Sequence, residues 1–328
     1  MRYRPFGRTG LSISELVFGA GAVGGILIRG DDETRREAVR RALAGGVNWI
    51  DTAAAYGQGR SEEALGWLLG EIAESPYVST KFRIDPESRE SIASQIERSL
   101  HGSLARLRRE SVDLLQLHNP VAPETGKRAL GVAEIVGPGG VADALQGLVD
   151  QGLTHHIGFT ALGDPAACRR VIESGRFASA QVYHNLLNPS AGRLMPARWP
   201  GHDSGDLIAS CAEHGVAVMN IRVLSAGVIA TDRRHGREAP LIPGTDVDTD
   251  ERRTAAVFRE LGARYGTRAQ TAIRYALAHR HVSGVLVGIA EVEQIDEALG
   301  AVELGPLPEE ALARLEGLYA NDFGLAAS

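Results

Sequence analysis

The chain has 328 residues, 44% hydrophobic and 23% charged, a composition that suits a soluble globular protein with a large core. Its 35 basic and 41 acidic residues give a net charge of -6 with no block of Lys or Arg, which argues against a nucleic-acid or polyanion partner. Cys168 and Cys211 lie far apart with no C-x-x-C, which excludes a disulfide framework or a cysteine-based zinc site and suits a reducing cytoplasm.

Met1-Arg2-Tyr3-Arg4-Pro5 lacks the apolar core of a signal peptide, and the longest apolar run, Leu16 to Ile28, is short and broken by glycines. A cytoplasmic chain without a membrane segment is expected. Residues Arg2 to Ile13, turning at Arg8-Thr9-Gly10, read as an N-terminal β-hairpin. Short runs rich in β-branched residues then predict strands at 16–18, 47–50, 77–80 and 112–117, and again at 154–159, 179–183, 216–221 and 282–287.

Helical patterns separate them. The first spans 34–44, opened by a Thr34-x-x-Glu37 capping box and closed by Gly45-Gly46; the second spans 61–69 behind a Ser61 cap. Others cover 88–107, 141–151, 164–174, 206–214, 251–265 and 291–299, and 308–319 reads as a terminal helix. Strand followed by helix, repeated about every 35 residues, is the pattern of a single (β/α)8 TIM barrel spanning residues 1–328. Two long loops, Asn119 to Gly140 and Ser225 to Asp250, follow strands and so belong at the C-terminal face of such a barrel, where active sites lie. Alternation alone leaves a doubly wound sheet open.

Gly19-Ala20-Gly21-Ala22-Val23-Gly24 matches G-x-G-x-x-G after a strand. A dinucleotide fingerprint needs a helix to open there, yet Gly25 and Arg29-Gly30-Asp31-Asp32 interrupt one. The segment therefore reads as a glycine-rich barrel loop whose backbone can still touch a cofactor.

Four chemically active side chains fall at or just after consecutive strand ends: Asp51 and Tyr56 at the second, Lys81 at the third and His118 at the fourth. Singly, each has a plain structural explanation; together they mark one rim as a site. A phenol beside an ammonium gives up its proton more readily, and can then act as acid or base on a carbonyl. Reduction of that carbonyl calls for a nicotinamide, since no side chain supplies a hydride. Metal catalysis lacks ligands, because His155-His156 and His279-Arg280-His281 precede their strands instead of ending them, and no G-x-S-x-G is present.

These stretches resemble the aldo-keto reductase superfamily over nearly the whole chain. The resemblance rests on Phe6-Gly7-Arg8-Thr9-Gly10-Leu11, Asn48-Trp49-Ile50-Asp51-Thr52-Ala53-x-x-Tyr56-Gly57, Ser79-Thr80-Lys81 and Leu117-His118-Asn119-Pro120. Ile157-Gly158-Phe159-Thr160, Gln181-Val182-Tyr183-His184-Asn185 and Val287-Gly288 follow in order. It implies Tyr56 as general acid/base, Lys81 as its activating cation, Asp51 as the anchor of Lys81, and His118 as the group orienting the substrate carbonyl.

It also implies NAD(H) or NADP(H) along Gly19, Ala20, Gly21, Asp51, Thr160 and Gln181. The same groove continues through Arg222, Leu224 and Gly227 to Gly288, Ala290 and Gln294. Tyr56, Phe82, His118 and Asn119 are expected at the substrate, a small carbonyl compound or sugar. The chain departs from the family at Ala161, where an asparagine is usual, and at Ile221-Arg222-Val223-Leu224, which looks like the sugar and galactose dehydrogenase-like branch. After the eighth strand, Glu291 and Glu293 stand where a base for a 2′-phosphate is usual, so NAD or dual use is expected. A cofactor-binding regulatory protein on the same barrel is the alternative.

Overall fold

A computed structural model describes residues 1–197, 199, 201–238 and 246–325. Eight parallel strands form its centre: β1 (Leu16–Gly19), β2 (Trp49–Asp51), β3 (Tyr77–Phe82), β4 (Val112–Leu117), β5 (Thr154–Ala161), β6 (Ser179–Tyr183), β7 (Ala217–Ile221) and β8 (Val282–Gly288). Each pairs with its successor and β8 pairs with β1, closing a barrel without an edge. The architecture is the (β/α)8 barrel read from the sequence, and closure rules out the doubly wound sheet. No helix among the described residues is long and apolar enough to cross a membrane.

The helices of the repeat that pack around these strands are α1 (Asp32–Ala44), α2 (Arg60–Leu69), α3 (Ile92–Leu107), α4 (Val141–Asp150), α5 (Pro165–Glu173), α6 (Leu207–Glu213), α7 (Arg268–Ala278) and α8 (Glu293–Leu304). The period-two pleat sorts each strand's side chains between two cores. Phe18, Ile50, Val78 and Leu115 point outwards to the helices, and α3 adds Ile96, Leu100, Leu104 and Leu107, spaced by three or four along one face, to the same apolar layer. Val17, Trp49, Leu114, Ala217 and Met219 point inwards.

The hairpin pairs Tyr3–Pro5 with Ser12–Ser14 and plugs the N-terminal end of the barrel. Phe6 and Ile13, fully buried, complete the inner cluster, and the Phe6 and Trp49 rings lie 4.7 Å apart. Arg2 and Arg4 hold the buried Glu15 at 2.9 and 2.7 Å beside it. With this end filled by side chains, the opposite rim is the one left to chemistry.

Local expectations differ from the structure in instructive ways. α1 is capped by Asp31, whose side chain accepts from the Thr34 amide, so Thr34 lies inside the first turn and its capping box is absent. α2 begins at Arg60 behind Gly59, and Ser61 instead turns inwards to bond Thr52 and the Ala20 carbonyl. A one-turn helix, Ile26–Arg29, fits between Gly25 and Gly30 where no helix was expected.

The 119–140 loop carries a two-strand pairing of Val121–Ala122 with Leu130–Gly131 and the short helix Val132–Val136. The predicted 251–265 helix spans Val247–Leu261, because Asp246 caps it from inside the 225–250 loop; residues 239–245 of that loop lie outside the described residues. α7 went unread although Thr267-x-x-Gln270 forms a capping box there.

Candidate active site

The second strand ends at Asp51, and register places it beside Gly19 of β1 and Ser79 of β3. Two residues further along β3, on the same inward face, stands Lys81. The two form an ion pair with side chains 2% and 0% exposed. The remaining carboxylate oxygen, Oδ1, accepts from Ser79 Oγ at 2.7 Å, Gln181 Nε2 at 2.9 Å and Gln116 Nε2 at 3.1 Å. Such saturation is what a buried carboxylate needs to stay charged. It also encloses Asp51, whose oxygens serve the ammonium and three neutral donors.

Tyr56 enters on the β2–α2 connection. Ala54 bonds the Lys81 carbonyl at 3.2 Å, which fastens this turn to β3. Gly57 and Gly59, at φ +61° and +93°, then reverse the chain, and a side chain on Gly57 would strike Ile28 at 2.8 Å. The turn delivers the Tyr56 hydroxyl to Lys81 Nζ, which donates to it at 3.2 Å and to the Thr52 carbonyl at 2.8 Å. His118, one residue past β4, meets the Tyr56 ring edge-on with centroids 5.8 Å apart. Asp51, Tyr56, Lys81 and His118 thus converge on the C-terminal rim.

Burial works against the Lys81 charge, but Asp51 and Tyr56 outweigh it and hold the ammonium above its ordinary value. His118 is pushed down to about 3, first by burial and then by Lys81 and Arg83. Its ring is therefore neutral at physiological pH and keeps one N–H to donate.

Two expected substrate residues take other roles. Phe82 follows Lys81 directly, so the pleat turns its ring to the outer apolar layer, 2% exposed. Asn119 spends its amide on backbone: Oδ1 accepts from the Ile84 amide at 2.8 Å, and Nδ2 donates to the Ile84 and Arg128 carbonyls at 2.8 and 3.0 Å. It braces the rim instead of lining it. Ser79 and Gln116, which the sequence reading missed, do reach the centre. Their signal was position, each lying two residues before Lys81 or His118.

Several residues expected at a dinucleotide lie beside this centre. Gly21 backs onto Tyr56, where a Cβ would lie 3.7 Å from the ring, and Gly24 lies so close to β8 that a Cβ would sit 2.5 Å from the Ile289 nitrogen. Gly19 is paired with Gly288, and the Ala20 amide and carbonyl are held by Asp51 and Ser61. Thr160, in register with Gln181 on the inner face, has a buried hydroxyl without a partner among the described residues. An unused hydroxyl and a bare glycine backbone fit an amide-bearing ring and its linker.

Beyond β7, Arg222 takes φ +59° with its carbonyl held by Asn185 Nδ2 at 2.9 Å, and Leu224 and Gly227 form the tight turn Ser225–Gly227. At the start of α8, Gln294 Oε1 accepts from the Ala290 and Glu291 amides at 2.9 and 3.3 Å. Gln294 thereby occupies both amides from within the chain.

Comparison with known proteins agrees with the geometry. The profile of the Aldo/keto reductase family matches residues 15–320. The chain is 28% identical to L-galactose dehydrogenase of Arabidopsis thaliana, covering 96% of this chain and 93% of that protein. Its fold is similar to the holo form of aldo-keto reductase AKR11C1 from Bacillus halodurans (TM-score 0.74, 22% identity, 97% and 96% of the two chains). It is equally similar to glycerol dehydrogenase AKR11B4 from Gluconobacter oxydans (TM-score 0.74, 21% identity, 97% and 95%). The profile match takes in every barrel strand and all four converging side chains, and the chain belongs to the aldo/keto reductase family of NAD(P)-dependent oxidoreductases.

Proposed function

We propose that this oxidoreductase interconverts an aldehyde, ketone or sugar lactol with the matching alcohol or lactone, using Tyr56 as general acid/base. The observation that carries the reading is the Lys81 ammonium donating to the Tyr56 oxygen while Asp51 anchors it. A bound nicotinamide, NAD(H) or NADP(H), supplies the two-electron chemistry that no side chain can.

In reduction Tyr56 gives its proton to the carbonyl oxygen, and in oxidation it takes one from the hydroxyl; Lys81 stabilises the phenolate present in between. Neutral His118 donates to the same oxygen and fixes its position. Gly21, Thr160 and Gln181 line the place for the nicotinamide and its carboxamide, with Arg222, Leu224 and Gly227 on the β7 side. Asn119 acts through the rim it braces. A barrel that only bound cofactor gains nothing from a buried ammonium placed on a phenol at heavy desolvation cost, so the enzyme is favoured over a regulatory protein.

A polyhydroxy substrate is supported by the name of the L-galactose dehydrogenase relative. NAD is the favoured cofactor, because Glu291 and Glu293 are exposed at the start of α8 and Gln294 occupies the two nearest amides. The two buried free cysteines suit a cytoplasmic enzyme.

The decisive variant is Tyr56→Phe. Turnover of sugars and aldehydes, followed at the reduced-nicotinamide absorbance, should fall at least ~100-fold while the dinucleotide still binds. Undiminished turnover overturns the assignment.

A further inference from the structure

Where β3 and β4 end side by side, the rim carries one more charged side chain. Register pairs Lys81 with Gln116 and Phe82 with Leu117, and the His118 amide donates to the Phe82 carbonyl at 2.9 Å. Arg83 and His118 are therefore the next neighbours up the barrel. Each follows, by two residues, a side chain that bonds Asp51 from inside: Lys81 on β3 and Gln116 on β4. Phe82 and Ile84, on either side of Arg83, are buried in the outer apolar layer. The pleat thus turns Arg83 to the inner face, one layer above Lys81 and about 7 Å further along the strand direction. Lys81 is buried and Arg83 is exposed, as befits the solvent end of the barrel.

The backbone at this point is fixed. Asn119 accepts from the Ile84 amide and donates to the Ile84 carbonyl, both at 2.8 Å, which ties the residue after Arg83 to the residue after His118. A guanidinium on such a support has less freedom to lose when a ligand arrives.

Charge points the same way. The Asp51–Lys81 pair is neutral as a unit and shut off from water. Two charges act on the His118 ring, that of Lys81 and then that of Arg83, and both are positive. Asp85, two residues beyond Arg83, turns its carboxylate to the Glu87 amide at 3.0 Å. A chain with a net charge of -6 thus sets a cation beside the imidazole that fixes the reacting oxygen, and a local field of that sign draws in an anion. The planar fork of a guanidinium matches the two oxygens of a carboxylate.

We propose that Arg83 selects substrates with a carboxylate at the end remote from the reacting carbon, an acidic sugar of the hexuronate kind, by pairing with that carboxylate while the lactol or aldehyde carbon lies at Tyr56 and His118. The layer spacing sets the separation, because a carboxylate next to the reacting carbon would fall short of Arg83. In oxidation the hydride of the lactol C–H passes to the oxidised nicotinamide, the hydroxyl proton passes to Tyr56, and the lactone forms with the carboxylate unchanged. The proposal rests on the reading of Tyr56 for where the reacting carbon lies.

The test compares D-galacturonate with D-galactose and D-glucuronate with D-glucose, pairs that differ in a carboxylate at the far end of the sugar. In the wild type kcat/KM should favour at least one acid over its neutral partner by tenfold or more. Arg83→Met should cut that ratio at least tenfold through a higher KM for the acid, and Arg83→Lys, which retains the charge, should keep most of it. Arg83 is exposed, so both variants should hold the wild-type thermal midpoint. A second arm measures the Kd of each sugar by calorimetry on the full chain loaded with dinucleotide, and the acid-to-neutral ratio should change in the same way. A wild type that favours neither acid, or an Arg83→Met chain that keeps the preference, overturns the proposal. A fully active Tyr56→Phe would remove the catalytic reading yet leave the ratio of Kd values and its dependence on Arg83 in place.

Discussion

Asp51 and Lys81 meet inside the barrel as a charge pair shut off from water, with Oδ1 of the carboxylate already satisfied by Ser79, Gln116 and Gln181. Lys81 is thereby fixed where its third direction points at Tyr56. Removing one partner strands the other. Asp51→Asn should destabilise the fold by about 3–5 kcal/mol, seen as a lower urea midpoint. Turnover should fall as well, because the ammonium loses its anchor. An Asp51→Asn protein with wild-type stability and activity would contradict this account of the pair.

The neutral state of His118 has a kinetic consequence. With the ring held at about 3, it takes up no proton between pH 5 and 8, and any limb of the pH–rate profile in that range belongs to another group. NMR of the His118 ring protons should show no titration above pH 4.5. A midpoint near 6.5 would refute the neutral-donor role.

Acid stability should follow from the same kind of burial. His118 and His184 are both depressed to about 3, His184 by burial and then by His279. In the unfolded chain a histidine titrates near its ordinary 6.5, so below that pH the unfolded state binds the extra protons. The stability these groups contribute is complete above about 6.5 and is lost as pH falls towards about 3, by roughly 1.4 kcal/mol per pH unit for each. His184→Phe keeps a ring against Tyr275, which it now meets at 5.2 Å, and should flatten the decline of the urea midpoint between pH 6 and 4. An unchanged slope would show that His184 is not among the groups responsible.

Gly24 tests the groove. A methyl there would lie 2.5 Å from the Ile289 nitrogen and 2.6 Å from its oxygen, both backbone atoms that cannot step aside. Gly24→Ala should raise the dinucleotide Kd at least tenfold in a fluorescence titration, with the circular dichroism spectrum intact. Equal affinity would place the cofactor away from this loop.

Cofactor choice is tested at the start of α8. Turnover efficiency with NAD should equal or exceed that with NADP, and Glu291→Lys should raise the NADP efficiency at least tenfold by supplying a charge partner. A tenfold preference of the wild type for NADP would refute the reading.

Much was legible along the chain because it depends on local chemistry. Alternating apolar strands and amphipathic helices spell out a parallel α/β fold, and in its barrel form Asp51, Tyr56, Lys81 and His118 fall at consecutive strand ends, so their shared rim could be inferred before any contact was known. Helix starts were harder. Asp31, Thr34 and Ser61 are all plausible caps, and only the path of the chain decides which one accepts an amide and which turns inwards to the barrel.

What belonged to tertiary structure alone was the direction of individual side chains and the sharing of hydrogen bonds across distant strands. Phe82 is adjacent to Lys81 yet faces away, Asn119 spends its amide on Ile84 and Arg128, and Gln116 and Gln181 come from separate strands to one carboxylate oxygen. The reason is that residue order sets which groups stand at a strand end, whereas pleat, register and barrel closure set which of them can reach one another. The placing of Arg83 beside His118 is of the second kind, two residues far apart in sequence made neighbours by the register of β3 and β4.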